Sequence, residues 1–120
     1  MQNYGRLPVW RKAHAIALNV YRLTEQIPRR GHAELIDQLR RSSRSIAANI
    51  AEGSSRPTDK DFAKFLNIAL ASATETQYHL DFAVAASLIP RSEFEIRKQE
   101  LNEVRRMLTG FIKHLRQTER

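Results

Sequence analysis

Apolar residues at helical spacing, in segments separated by proline or glycine, constrain the fold of this chain more than any other feature. From Val9 to Ile27 they recur at three- and four-residue steps, the period of one face of an α-helix. No Val-, Ile- and Thr-rich run alternates apolar with polar residues, and no Asn-Gly pair marks a hairpin turn. The sequence therefore predicts an all-α protein.

Turn residues place the first two helices. Pro8 suits the first turn of a helix, and Pro28 is predicted to end that helix ahead of a short turn at residues 29–31. The second helix is predicted over residues 32–51. Gly53 is expected to terminate it in a left-handed cap.

Capping signals place the other two helices. Residues 58–61 (Thr-Asp-Lys-Asp) resemble a capping box that opens the third helix, and Pro90 follows its end. Residues 92–95 (Ser-Glu-Phe-Glu) form a second box that opens the fourth helix. Four helices of ~20–30 residues joined by short turns predict an antiparallel, up-down-up-down four-helix bundle, with one domain over residues 1–120.

Composition excludes several classes of protein. The chain has no cysteine, so neither a disulfide framework nor a thiolate metal site is expected. The N-terminus lacks the apolar core of a signal peptide, and no window approaches the ~18 apolar residues of a membrane span. We expect a cytoplasmic protein that does not contact a membrane.

Positive charge is concentrated in the first half of the chain. Residues 1–60 hold 11 Lys and Arg against 5 Asp and Glu, whereas residues 61–120 hold 9 against 8. A basic surplus in one half indicates an anionic partner, with RNA or DNA the first candidate.

The tightest basic cluster lies on the predicted second helix. Arg40, Arg41 and Arg44 share an arc about a third of a turn from the apolar side of that helix. The predicted nucleic-acid-binding residues are these three and the basic residues that extend them: Arg11, Lys12, Arg56 and Lys60. Such residues bind phosphate by charge and carry little sequence information. Two alternatives stay open: a solvated face partly neutralised by Glu34 and Asp37, or arginines that bridge to a neighbouring subunit.

No catalytic pattern is present in the sequence, and we expect no enzyme, cofactor or metal site. Di-iron bundles use two Glu-x-x-His motifs, whereas Glu75 and His79 are four residues apart and the pattern occurs once. No Gly-rich phosphate loop or Ser-His-Asp arrangement is apparent. Glu52 is interpreted as the partner of a nearby arginine. Trp10 is predicted to anchor the core rather than to stack on a base.

Apolar residues outside the main helical stripes favour a homo-oligomer. They are Leu18, Phe65, Ile68, Phe82, Met107 and Ile112. A monomeric bundle needs about one apolar face per helix, so a second face indicates subunit contacts. Small residues at 69–74 are expected to let neighbouring backbones approach closely.

Motifs along nearly the whole chain resemble a single family. They are Trp-Arg-Lys-Ala at 10–13, Val-Tyr-Arg-Leu-Thr at 20–24, Ile-Pro at 27–28, the 38–46 run with Asn-Ile-Ala-Glu-Gly at 49–53, the 62–69 run and the 107–112 run. These motifs are similar to those of the four-helix bundle proteins encoded in intervening sequences of bacterial large-subunit ribosomal RNA genes. Relatives of that family include the accessory variability protein of diversity-generating retroelements.

This resemblance implies a ring-like homopentamer with basic surfaces. In the retroelement branch it implies binding to nucleic acid and to a reverse transcriptase. The matching residues Asn49, Glu52 and Gly53 are expected to be structural, ending the second helix and holding the turn to the third. The added Arg44 departs from the family pattern and makes the second helix more basic than usual.

Two hypotheses for function follow. The first is a non-enzymatic, oligomeric accessory protein that binds nucleic acid through Arg40, Arg41, Arg44 and their neighbours. The second is a protein-interaction scaffold whose arginine cluster serves subunit or partner contacts without nucleic-acid binding. The salt dependence of RNA and DNA binding separates the two.

Overall fold

Helices account for nearly all of the described chain. The computed structural model describes residues 3–118, so the ends of the predicted domain, residues 1–2 and 119–120, lie outside the described residues. After a 3-10 turn at Tyr4–Arg6 come α1 (Pro8–Thr24), α2 (Ala33–Ser54), α3 (Asp59–Ala85) and α4 (Arg91–Thr118). Between residues 3 and 118 there is no strand, and the prediction of an all-helical fold with four helices is confirmed.

Contacts between the helices show that neighbours run antiparallel. Lys12 near the start of α1 pairs with Glu103 of α4 at 2.8 Å, whereas Asn19, further along α1, reaches back to Glu100 at 3.4 Å. The α2–α3 and α3–α4 pairs show the same reversed order. Each helix packs on two neighbours, and within the described range no Cα atoms of the diagonal pairs α1–α3 and α2–α4 come within 8 Å of each other. The result is an up-down-up-down bundle of 51 × 20 × 20 Å.

The first helix ends earlier than its proline suggests. α1 stops at Thr24, and the Ile27 amide then donates to the Thr24 carbonyl at 3.1 Å in a turn. The residue before a proline avoids the helical conformation, so Pro28 disfavours a helix in the residues that precede it.

One predicted cap is present and the other is wrong. The Thr58 hydroxyl accepts from the Asp61 amide at 3.1 Å and caps α3 as predicted. At the start of α4, however, the Phe94 amide donates to the Pro90 carbonyl at 3.1 Å. The helix therefore begins ahead of Ser92, which lies inside the first turn and does not cap it.

Gly53 does not form the predicted left-handed cap. α2 continues through it to Ser54, and the glycine with positive φ is Gly31, at 85°. A Cβ at position 53 would lie 2.7 Å from the Phe65 Cβ and 2.8 Å from the Phe62 Cδ1. Gly53 is therefore required by the close approach of α2 to α3.

Small and hydroxyl-bearing residues continue this close approach along the bundle. The Thr76 hydroxyl lies 2.9 Å from the buried Ser42 hydroxyl and 2.8 Å from the Ser72 carbonyl. One turn away, the Ser45 and Ser72 hydroxyls are 2.9 Å apart. These hydrogen bonds satisfy polar groups that would otherwise be costly to bury.

The residues predicted to lie outside the core divide into three groups. Ile112 is buried, at 6% exposure, so its assignment to a subunit contact is wrong. Phe65 and Met107 are half-buried against the bundle. Leu18 of α1 and Ile68 and Phe82 of α3 are exposed, and their assignment to subunit contacts stays a prediction.

Replacing Gly53 with alanine tests the approach of α2 to α3. We expect Gly53→Ala to lower the free energy of unfolding by about 1–3 kcal/mol, because the new methyl group meets side-chain atoms fixed close to the α3 backbone. Gly110→Ala is the matched control, since its Cβ would meet nothing within 4 Å. That control should stabilise by about 0.5–1 kcal/mol. Urea denaturation followed by circular dichroism measures both, and equal effects would contradict the prediction.

Candidate nucleic-acid interface

A groove of about 230 Å³ lies between α1 and α2. The residues that line this α1–α2 groove are His14, Ala17, Leu18, Tyr21, Arg40, Arg44 and Ala47. Its walls are therefore apolar or aromatic, and two of the three arginines predicted to form a cluster lie in it.

Arg40 is held in place by the last turns of α1. Its Nε–H donates to the Thr24 hydroxyl at 2.8 Å, and that hydroxyl donates to the Tyr21 carbonyl at 2.7 Å. The guanidinium carbon sits 4.1 Å from the centre of the Tyr21 ring, a cation–π contact. Neither Nη1 nor Nη2 of Arg40 hydrogen-bonds to any residue from 3 to 118.

Arg44 follows one turn later on α2 and is exposed. Its Nε–H donates to the Arg40 carbonyl at 3.2 Å, while its two terminal nitrogens have no hydrogen-bond partner among the described residues. The groove thus carries two neighbouring guanidinium groups, each tethered through Nε.

Arg41 lies on a different side of α2. It forms an ion pair with Glu75 of α3 and also donates to the Gln38 side chain at 2.8 Å. The same Glu75 carboxylate lies 3.2 Å from His79 Nε2. The structure therefore separates the predicted trio, because Arg41 belongs to the α2–α3 contact and only Arg40 and Arg44 share the groove.

Within residues 3–118, no carboxylate neutralises the groove. Glu25 is the first acidic residue of the chain, and α2 carries none between Asp37 and Glu52. Asp37, which the sequence offered as a neutralising partner, lies 3.2 Å from Arg29 instead. Arg40 and Arg44 therefore make no ion pair within residues 3–118.

Two of the remaining candidates lie near the start of α1. Arg11 is exposed, with its Nη1 3.5 Å from the Gly5 carbonyl. Lys12 points to α4, where Glu103 neutralises it at 2.8 Å. Lys12 therefore does not extend the arginine pair, which corrects the predicted patch.

The other two candidates lie at the α2–α3 connection. Arg56 pairs with Glu52 at 3.3 Å and stacks over the Phe65 ring at 4.6 Å. That pairing is the one predicted for Glu52. Lys60 is exposed in the first turn of α3. Neither residue lines the α1–α2 groove.

Asn49 is bonded within α2. Its Nδ2 group donates to the Ser45 carbonyl at 2.8 Å and lies 2.9 Å from the Ser45 hydroxyl. That hydroxyl in turn contacts Ser72 of α3. Asn49 thus supports the contact between α2 and α3, while the expectation that it ends α2 is wrong, because the helix continues to Ser54.

An aromatic stack adjoins the groove at its other end. The His14 and Trp10 rings are stacked, with centroids 4.8 Å apart and planes 11° apart. Tyr4 packs on Trp10 at 4.9 Å. Trp10 is half-buried and packs against the core as predicted, whereas His14 is exposed.

Sequence reasoning missed the α1 side of the groove. His14, Leu18 and Tyr21 recur at four- and three-residue steps, in a stretch that contains no acidic residue. That combination of helical spacing and missing acids is the signal that could have found them.

Two further arginines, the half-buried Arg105 and the buried Arg97, join residues within the bundle. Burial lowers the pKa of Arg105, an effect that the nearby Asp81 charge partly opposes. Its Nη1 donates to the Ala73 carbonyl at 3.3 Å, which joins α4 to α3. Arg97 is buried and pairs with Glu100 at 3.0 Å. Arginine keeps its charge in proteins, so neither side chain serves as an acid or base.

Among the described residues, no three His, Asp or Glu side chains are grouped so that they could hold a metal ion. None of the helices in this part of the chain combines the length and apolar character that crossing a membrane requires.

The fold and the groove together define a small basic four-helix bundle with an unneutralised arginine pair between its first two helices. The chain belongs to the family of 23S rRNA-intervening sequence proteins, whose pattern matches residues 5–110, and the predicted family is confirmed. The structure is similar to that of a protein with unknown function from the S23 ribosomal protein family of Bacteroides thetaiotaomicron VPI-5482. The two chains are 30% identical, with a TM-score of 0.79 over 88% of this chain and 98% of that chain. No curated protein matches this chain. Neither the description of the family nor that of the similar structure names an enzyme.

Removing the Thr24 hydroxyl tests whether it holds Arg40. We expect Thr24→Val to lower the free energy of unfolding by about 1 kcal/mol, because the Arg40 Nε–H loses its acceptor while the side-chain shape is kept. Thr74→Val, at an exposed position of α3, should stay within about 0.5 kcal/mol of the parent. A double-mutant cycle with Arg40→Met isolates the pair, and a zero coupling energy would contradict the assignment.

Proposed function

We propose that this protein is a non-enzymatic accessory protein that binds nucleic acid, with Arg40 and Arg44 of the α1–α2 groove on phosphates. One observation carries the proposal: each arginine is tethered through Nε, and its two terminal nitrogens have no protein partner within residues 3–118. A guanidinium group held in this way offers a planar pair of donors that matches phosphate oxygens.

The surroundings of the pair support an anionic ligand. Two cations one helical turn apart repel each other, and no carboxylate lining the groove relieves that repulsion. A bound phosphate would relieve it. Base edges are not required for such binding, so weak sequence preference is expected.

A salt titration with a paired substitution tests the proposal. At low salt we expect Arg40→Ala/Arg44→Ala to bind duplex DNA and RNA about tenfold or more weakly than the parent. The slope of log K against log salt should fall in magnitude by about 1.8 on duplex DNA, since each lost phosphate contact contributes about 0.9.

Lys113→Ala/Arg116→Ala is the matched control. It removes the same charge from exposed positions of α4, the helix diagonal to α2. This variant should keep a steeper salt slope than the groove variant. Absence of binding by the parent protein at low salt, or equal losses in the two variants, would overturn the proposal.

We infer that the protein acts as a homo-oligomer whose subunits meet through the α3 apolar face, defined as Ile68, Tyr78 and Phe82. These side chains are 48%, 61% and 53% exposed, and Tyr78 and Phe82 line a groove of about 500 Å³. Exposed apolar side chains on one side of a helix are typical of subunit contacts. The family resemblance implies that the assembly is a ring of five subunits.

In a ring, this face would meet a different surface of the next subunit, because ring interfaces are heterologous. Residues 65–90 contain Glu75 and Asp81 but no Lys or Arg, so the face complements a basic surface. This observation favours the second candidate function, a scaffold whose α1–α2 groove receives the neighbouring subunit or another protein, such as the reverse transcriptase implied by the retroelement resemblance.

A charge placed on the α3 apolar face tests the assembly. We expect Phe82→Glu to dissociate the oligomer to monomer in light scattering, because the carboxylate would be desolvated in the contact. Ile96→Glu, at a 46% exposed position of α4, is the control and should leave the mass unchanged. A parent protein that is itself monomeric would contradict this inference. Dissociation by Arg40→Ala/Arg44→Ala, without nucleic-acid binding by the parent, would favour the scaffold.

A further inference from the structure

The α1–α2 groove offers more than charge. Tyr21 and Leu18 are 46% and 43% exposed there, between the half-buried Arg40 and the exposed His14. A ligand that presented only phosphates would leave this aromatic and apolar wall in water. The wall therefore indicates a ligand that has flat apolar surfaces as well as negative charge.

Two stacks of planar groups lie along the groove. At one end the Arg40 guanidinium covers Tyr21 at 4.1 Å, fixed through its bond to Thr24. At the other end His14 stacks on Trp10 at 4.8 Å. Tyr21 and His14 are seven residues apart on α1, or about 10 Å along its axis at 1.5 Å per residue.

Single-stranded nucleic acid has the chemistry that this arrangement fits. In a duplex the base faces are stacked on one another and closed to protein side chains, whereas unpaired bases stack readily on aromatic rings and on guanidinium planes. Arg40 can then make two kinds of contact, because the plane of its guanidinium group offers a stacking surface and the edge of that group offers hydrogen-bond donors to phosphate.

We infer that the α1–α2 groove binds single-stranded nucleic acid, with one base on the Arg40–Tyr21 stack, another at His14, and the intervening phosphates on Arg40 and Arg44. This inference rests on the proposed function and adds the form of nucleic acid that is bound. Charge complementarity supports it, because the groove contains no acidic residue.

Fluorescence anisotropy at one salt concentration tests the inference. The probes are a labelled 20-nucleotide DNA strand, the RNA strand of the same sequence, and the DNA strand paired with its complement. We expect at least one single strand to bind about tenfold more tightly than the duplex, the contribution of about one stacked base. The two sugars distinguish RNA from DNA, and a preference for either strand supports the inference.

Variants of Tyr21 separate stacking from charge. Tyr21→Leu should weaken single-strand binding about tenfold with an unchanged salt slope, whereas Tyr21→Phe should keep the parent affinity. Ile96→Ala, at a 46% exposed position of α4 outside both the groove and the α3 apolar face, is the control and should have no effect on single-strand affinity. Thermal unfolding of each variant shows that the fold is retained.

The outcomes distinguish this inference from the proposed function. Equal binding of strand and duplex, or a duplex preference, with a salt slope that still depends on Arg40 and Arg44, would overturn the single-strand inference alone. No binding of any probe would overturn both. A Tyr21→Leu variant that dissociates the oligomer without changing single-strand affinity would also overturn the inference, since the groove would then hold a second copy of the chain.

Discussion

The close approach of α2 to α3 is the constraint on which the rest of the structure depends. At one end Gly53 leaves room for Phe62 and Phe65, and further along the bundle Ser42 and Thr76 lie in hydroxyl contact. Because the small residues Ser42, Ser45 and Gly53 of α2 lie directly against α3, the rotation of α2 about its own axis is fixed by packing. The side turned to α1 then carries Arg40 and Arg44, while Arg41 is turned to Glu75.

The groove also depends on how the last turn of α1 is bonded. An unconstrained arginine loses about 2 kcal/mol of rotamer entropy when it is immobilised. In this protein part of that rotamer entropy is already lost on folding, because Thr24 and Tyr21 hold the Arg40 guanidinium. A ligand would find the donors in place, which reduces the ordering cost of binding. The contacts with Thr24 and Tyr21 that half-bury Arg40 therefore also make it suitable for binding.

Local signals in the sequence predicted some of the features that neighbouring residues decide, although the box at residues 92–95 does not cap α4. The start of α1 at Pro8 and the Thr58 cap depend on neighbouring residues, and both are present. Gly53 was wrongly assigned to a cap because the residues that require a glycine there, Phe62 and Phe65, approach it only in the tertiary structure. Likewise, the three arginines are equivalent on a helical projection. They differ in the fold, because Glu75, 34 positions from Arg41, pairs with Arg41 and not with the other two. The candidate groove could be predicted only in part, because its α1 residues meet Arg40 and Arg44 only through the tertiary packing of α1 on α2.

The separation of charges across the bundle has a consequence for the way in which the molecule meets a polyanion. The first 24 residues, which include α1, contain no Asp or Glu, whereas most of α3 contains no Lys or Arg. These two helices lie diagonally opposite each other in the bundle. The charges of α1 and α3 therefore give the protein an electric dipole component across its 20 Å width. Such a dipole exerts a torque before contact that turns the α1 side to the polyanion. The molecule would then arrive side-on, with its length free to align with the strand.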